Sequence, residues 1–71
     1  MRLPRDLSGA AVVKALERRG FTVARQSGSH VRLTKEGKRV TVPLHRSLTV
    51  GTLQSILRQA GITIEALLDS L

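Results

Sequence analysis

TVARQSGSHVRLTKEGKRVTVP, residues 22–43, decides the fold. Apolar and polar residues alternate along it: Val23, then Val31 and Leu33, then Val40 and Val42 point one way, and their neighbours point the other. Successive side chains of a strand lie on opposite faces, so this period of two predicts three half-buried strands. Ser27-Gly28-Ser29 makes a short connection between the first two, and Lys35-Glu36-Gly37-Lys38 a hairpin turn between the second and third. The expected product is an antiparallel meander with one apolar face. By strict alternation the other face displays Thr22, Ala24, Gln26, His30, Arg32, Thr34, Arg39 and Thr41, a polar and basic surface.

Helical signals flank the meander. Ser8 is a good N-cap, Leu7 and Val12 sit at staple positions, and Val12, Val13 and Leu16 form an apolar stripe, so a helix is expected from about Ser8 to Arg19. Gly20 supplies a left-handed ending, with Phe21 placed to fold back onto Leu16. After an irregular stretch from Pro43 to Leu48, Thr49 can cap a second helix carrying Leu53, Ile56, Leu57 and Ala60 on one face. Gly61 ends it, Ile62 reaches back to Leu57, and Thr63 can cap a short last helix anchored by Ala66, Leu67, Leu68 and Leu71. The class is therefore α+β, a single domain over residues 1–71 in the order α-β-β-β-α with a short C-terminal helix. Only one sheet face is apolar, so the helices belong on that face and the other stays open. The order is that of the double-stranded RNA-binding fold, a likeness of order that proves no function.

Composition narrows the function. A chain of 71 residues buries about 60% of its unfolded surface at most, which leaves no room for a deep enclosed pocket and favours a surface site. Twelve Lys and Arg against five Asp and Glu give a net charge of +7, which points to a polyanionic partner, nucleic acid first. An anionic membrane fits less well, since no helix pairs a wide apolar face with a Lys/Arg-rich one. Cysteine is absent, so no disulfide or thiolate metal site can form, which suits a reducing cytoplasm. In Met1-Arg2-Leu3-Pro4-Arg5-Asp6, Pro4 and Asp6 precede any apolar stretch, and secretion or membrane insertion is not expected.

Two histidines, His30 and His45, are the groups able to exchange protons near neutral pH without a large shift. His30 opens the second strand after Gly28, on the face shared with Arg32. An imidazole beside a guanidinium on an open platform can deprotonate a ribose 2′-hydroxyl while the cation holds the neighbouring phosphate. The same spacing also fits an ordinary surface histidine after a Gly-Ser turn. His45, in Val42-Pro43-Leu44-His45-Arg46, can serve as a second acid or a phosphate contact; ordering the turn into the second helix is the simpler reading. None of Asp6, Glu17, Glu36, Glu65 and Asp69 falls on the open face by pattern, so no two-metal carboxylate cluster is expected, and no cofactor or metal. No nucleotide-binding glycine motif is present. Phe21 is the one aromatic residue and its position suggests core, which argues against recognition by base stacking. Contact would run through phosphates and 2′-hydroxyls, with Arg25, Arg32, Lys35, Lys38, Arg39 and Arg46 as candidates.

Gly28-Ser29-His30 entering a strand, Val42-Pro43-x-His45, and the helix carrying Gly51-Thr52-Leu53 and Ile56 to Ile62 together resemble the HicA family of toxins. The likeness runs from Ser8 onward. It implies a fold like the double-stranded RNA-binding domain, metal-independent cleavage of mRNA, and a HicB-like antitoxin that silences the toxin. It also implies a catalytic role for His30, a turn at Gly28 and Ser29 that presents it, and a second motif at Pro43 and His45. Arg32, Lys35, Arg39 and Arg46 join Gly28, Ser29 and His45 as expected substrate contacts. Some relatives carry a second His directly after the first; Val31 stands here and by alternation faces the core, so no paired-histidine mechanism is expected. A non-catalytic RNA-binding module on the same basic surface is the first alternative, and a protein-binding adaptor whose open face pairs only with an acidic partner is the second.

Overall fold

The computed structural model describes residues 6–71. The reading of the opening residues as neither leader nor membrane span concerns Met1 to Arg5 and lies outside the described residues. Helix α1 spans Gly9–Arg18, strands β1, β2 and β3 span Thr22–Ser27, His30–Lys35 and Lys38–Pro43, and helices α2 and α3 span Val50–Ala60 and Ile64–Asp69. The order and class match those expected from sequence: helix, three-stranded antiparallel sheet β1-β2-β3, two helices.

Each helix starts where a hydroxyl satisfies an orphan amide. Ser8 Oγ accepts from the Ala11 N–H at 3.1 Å, Thr49 Oγ1 from Thr52 at 3.2 Å, and Thr63 Oγ1 from Ala66 at 3.1 Å. Helix α1 ends in a Schellman motif: Gly20, at φ 96°, donates to Glu17 O at 3.0 Å, and Phe21 donates to Leu16 O at 3.0 Å. That bond folds Phe21 into the core beside Leu16. Ile62 does the same for α2, donating to Leu57 O at 3.2 Å.

The helices cover one sheet face. Val31, Leu33, Val40 and Val42 meet Val12, Ala15 and Leu16 of α1, Leu53, Ile56 and Ala60 of α2, and Ile64 and Leu67 of α3 in one core cluster. The tail is held differently from the expectation. Ile64 and Leu67 are its buried anchors, whereas Leu68 and Leu71 are 38% and 50% exposed. A six-residue helix turns a single narrow face inward, and Leu68 lies about 100° round the axis from Leu67. Arginines of α1 complete the attachment: Arg18 Nη1 donates to Ser70 O at 2.7 Å, and Arg19 Nη1 to Ala66 O at 3.4 Å and Ser70 Oγ at 3.3 Å.

Strand β1 departs from strict alternation. Val23 pairs with Leu33, yet the next pair is Arg25 with Arg32, so Ala24 is an extra residue and forms a β-bulge. Beyond it the faces exchange: Arg25 and Ser27 share the open face with Arg32 and His30, and Gln26 pairs with Val31 on the helix side. The expected placement of Gln26 on the open face is thereby corrected. Val23 keeps its side but is 39% exposed at the sheet edge, outside the core. Every residue of β1 is exposed, so this strand adds little to the core and its register is free to bulge.

Candidate nucleic-acid interface

Cross-strand pairing arranges the open face in three rows. Ser27, His30 and Pro43 form the first, Arg25, Arg32 and Thr41 the second, and Thr22, Thr34 and Arg39 the third. A shallow hollow of about 230 Å³ lies across the first two rows, lined by Arg25, Ser27, His30, Arg32 and Thr41. His30, at the start of β2, is exposed and lines it.

Backbone bonds position this end of the sheet. Gly28, at φ 58°, sits first in the two-residue turn that leads to His30; a Cβ there would meet nothing within 4 Å. The positive φ of Gly28 is a conformation that favours glycine, and no protein atom crowds the position. Ser29 O accepts from the Leu44 N–H at 2.6 Å, His45 O from the Gly9 N–H at 2.9 Å, and Leu7 O from the Leu48 N–H at 2.8 Å. The Pro43 to Leu48 segment is therefore tied to the Gly28-Ser29 turn on one side and to the start of α1 on the other. Gly9 packs directly on the Pro43 carbonyl and the Leu44 backbone, leaving no space for a side chain.

The face is electrostatically one-sided. The strands contain no acidic residue, and the five acids stand before α1, in α1, in the β2–β3 turn and in α3. Among the described residues, no group of three His, Cys, Asp or Glu side chains could hold a metal ion.

Of the residues expected at the site, His30 and Arg32 adjoin across the first two rows, with Gly28 and Ser29 in the turn before them. Arg39 lies one row further on, opposite Thr34. His45 and Arg46 are exposed on the loop bonded to Ser29. Lys35 is separated from this group. Its register places it with Val31 and Leu33 on the helix side, where Nζ donates to Arg19 O at 2.6 Å and lies 5.6 Å from the Phe21 ring centroid. An ammonium there neutralises the negative end of α1. Lys38, opposite Lys35, shares that side and lies along Gly61.

Arg25 and Ser27 line the hollow, although strict alternation kept both off this face. The helix-side positions of β1 are themselves exposed, so burial gave no signal as to which of Arg25 and Gln26 faces the hollow.

Fold and face together define a small α+β protein whose open sheet face carries an exposed histidine among cationic side chains. The chain belongs to the HicA toxin family: the model of the HicA toxin of bacterial toxin-antitoxin matches residues 9–62. The match takes in α1, the whole sheet, the His45 loop and α2. No individually curated protein matches the chain. As a toxin of such a system it has an antitoxin as its partner, and among the described residues no helix is long and apolar enough to cross a membrane.

Proposed function

We propose that this toxin is an mRNA interferase, a metal-independent endoribonuclease in which His30 is the general base. The neutral imidazole takes the proton of a ribose 2′-hydroxyl, and the 2′-oxygen attacks the adjacent phosphorus. The phosphorus–5′-oxygen bond breaks, leaving a 2′,3′-cyclic phosphate and a 5′-hydroxyl. The departing oxygen takes up a proton, for which water and His45 on the adjoining loop are the available donors. Arg32 stabilises the charge that builds on the phosphoryl oxygens. Gly28 and Ser29 present His30, while Arg39, His45 and Arg46 extend the cationic track along the RNA.

One observation carries this reading: His30 lies exposed beside arginine side chains in a hollow without a carboxylate. The arrangement suits an RNA strand better than a small molecule, because the hollow is shallow and opens onto a broad polar face. It also supports a HicB-like antitoxin with an acidic surface that covers the same face, where complementary charge speeds capture. A non-catalytic RNA-binding module would use this face too, and cleavage separates the two. Incubating the purified toxin with a defined RNA and analysing the product ends tests the reading. A cyclic phosphate with a 5′-hydroxyl is expected; intact RNA, or products with 5′-phosphate ends, would contradict it.

A further inference from the structure

The bulge in β1 sets two arginines opposite one another in the strand register, both lining the hollow of the open face. Arg25 and Arg32 are cross-strand partners, and like charges in that position destabilise a sheet. Neither guanidinium has a hydrogen bond or ion pair among the described residues, and no carboxylate stands on any of the three strands to separate them. Thr41, the third member of their row, is neutral. The pair faces the same hollow as His30, one row away from it. Like charges that line one open hollow are relieved by an anion, and two planar forks suit one with two free oxygens.

We propose that Arg25 and Arg32 form a two-guanidinium clamp for a single backbone phosphate of the RNA, assembled by the bulge at Ala24. The proposal rests on the RNA reading of this face and turns Arg25, until now one candidate contact among several, into the partner of Arg32 on one phosphate. A backbone phosphodiester has two non-bridging oxygens, and the two side chains, held on neighbouring strands, each take one. Both oxygens gain negative charge as the 2′-oxygen adds to phosphorus, so the clamp holds the transition state more tightly than the bound RNA. Bulges commonly re-aim a side chain beside a functional site, and here the re-aimed residue is Arg25.

The test uses a fully 2′-O-methylated single-stranded RNA oligonucleotide, which lacks the attacking hydroxyl and is bound without cleavage. Its affinity for the wild type, Arg25→Ala, Arg25→Lys and the double variant Arg25→Ala/Gln26→Arg is measured against salt concentration. One lost phosphate contact lowers the log–log slope by about 0.7 for a single strand, and Arg25→Ala is expected to show that loss. Arg25→Lys keeps the charge but not the planar fork, so it should keep the slope and bind about tenfold more weakly than the wild type. The double variant has the wild-type net charge, but position 26 pairs on the helix side of the sheet, so it should not restore the slope. On unmodified RNA, Arg25→Ala should slow cleavage about tenfold, less than the ~10²-fold of a buried oxyanion donor because this site is open to water.

An unchanged slope in Arg25→Ala, full restoration by Gln26→Arg, an Arg25→Lys affinity equal to that of the wild type, or no measurable binding by the wild type would each overturn the clamp. Wild-type protein that binds as described but leaves unmodified RNA intact refutes the nuclease reading and leaves the clamp standing. Circular dichroism confirms folding of each variant, which the exposure of positions 25 and 26 favours.

Discussion

Gly9→Ala probes how the start of α1 holds the loop that carries His45. A Cβ built on Gly9 would stand within the van der Waals radius of Pro43 O and 2.9 Å from the Leu44 Cα. Both neighbours are backbone, so no side chain can rotate away, and either the helix or the loop must move. Overpacking of this kind costs typically 1–3 kcal/mol, and the rigid surroundings place it near the upper end, at about 3 kcal/mol. Straining the Gly9 N–H bond to His45 O, 2.9 Å long, adds about 1 kcal/mol. Alanine recovers up to about 1 kcal/mol through helix propensity. The net loss is about 3 kcal/mol, which in a domain of this size lowers the melting temperature by roughly 12–24 °C. Gly51→Ala is the control: a Cβ there meets nothing within 4 Å, so the change should be neutral or stabilising by up to about 1 kcal/mol. Thermal unfolding followed by circular dichroism measures both. A Gly9→Ala protein that melts at or above the wild-type temperature would refute the contact.

Further outcomes follow from the turn, the helix-side lysine and the ligand inventory. Gly28→Ala should cost about 1–2 kcal/mol through backbone conformation alone, since φ is 58° and the space is open, and Gly28→Asn should cost less; equal losses in urea unfolding would contradict the assignment. Lys35→Met should lower stability by about 1 kcal/mol through loss of the bond to Arg19 O, while the salt slope of RNA binding stays at the wild-type value; a fall in slope would return Lys35 to the RNA surface. EDTA should leave RNA cleavage unchanged, and a loss of activity that added divalent ions restore would refute metal independence.

Local signals in the sequence were enough for most of the fold. Ser8, Thr49 and Thr63 cap the three helices, and Gly20 and Gly61 end the first two with Phe21 and Ile62 folding back, because each device depends on residues a few positions apart. Alternation placed β2 and β3 correctly, since Val31, Leu33, Val40 and Val42 must all be buried. It failed in β1, where nothing is buried and the register is set by pairing with β2. One extra residue there decided which of Arg25 and Gln26 faces His30. The close approach of Gly9 to Pro43 and Leu44 was likewise invisible, being a contact between segments more than thirty positions apart. Lys35 looked like any surface cation until the end of α1 proved to lie within its reach.

The central claim, that His30 performs the chemistry, is tested by the rate at which folded His30→Ala protein cleaves an RNA that the wild type cuts. Because His30 is exposed, the substitution should leave the circular dichroism spectrum and melting temperature unchanged. Removing a positioned base is worth about 10²- to 10⁴-fold, so the cleavage rate should fall by at least about 10²-fold while binding of 2′-O-methylated RNA persists. Cleavage at the wild-type rate by the folded variant would contradict the account.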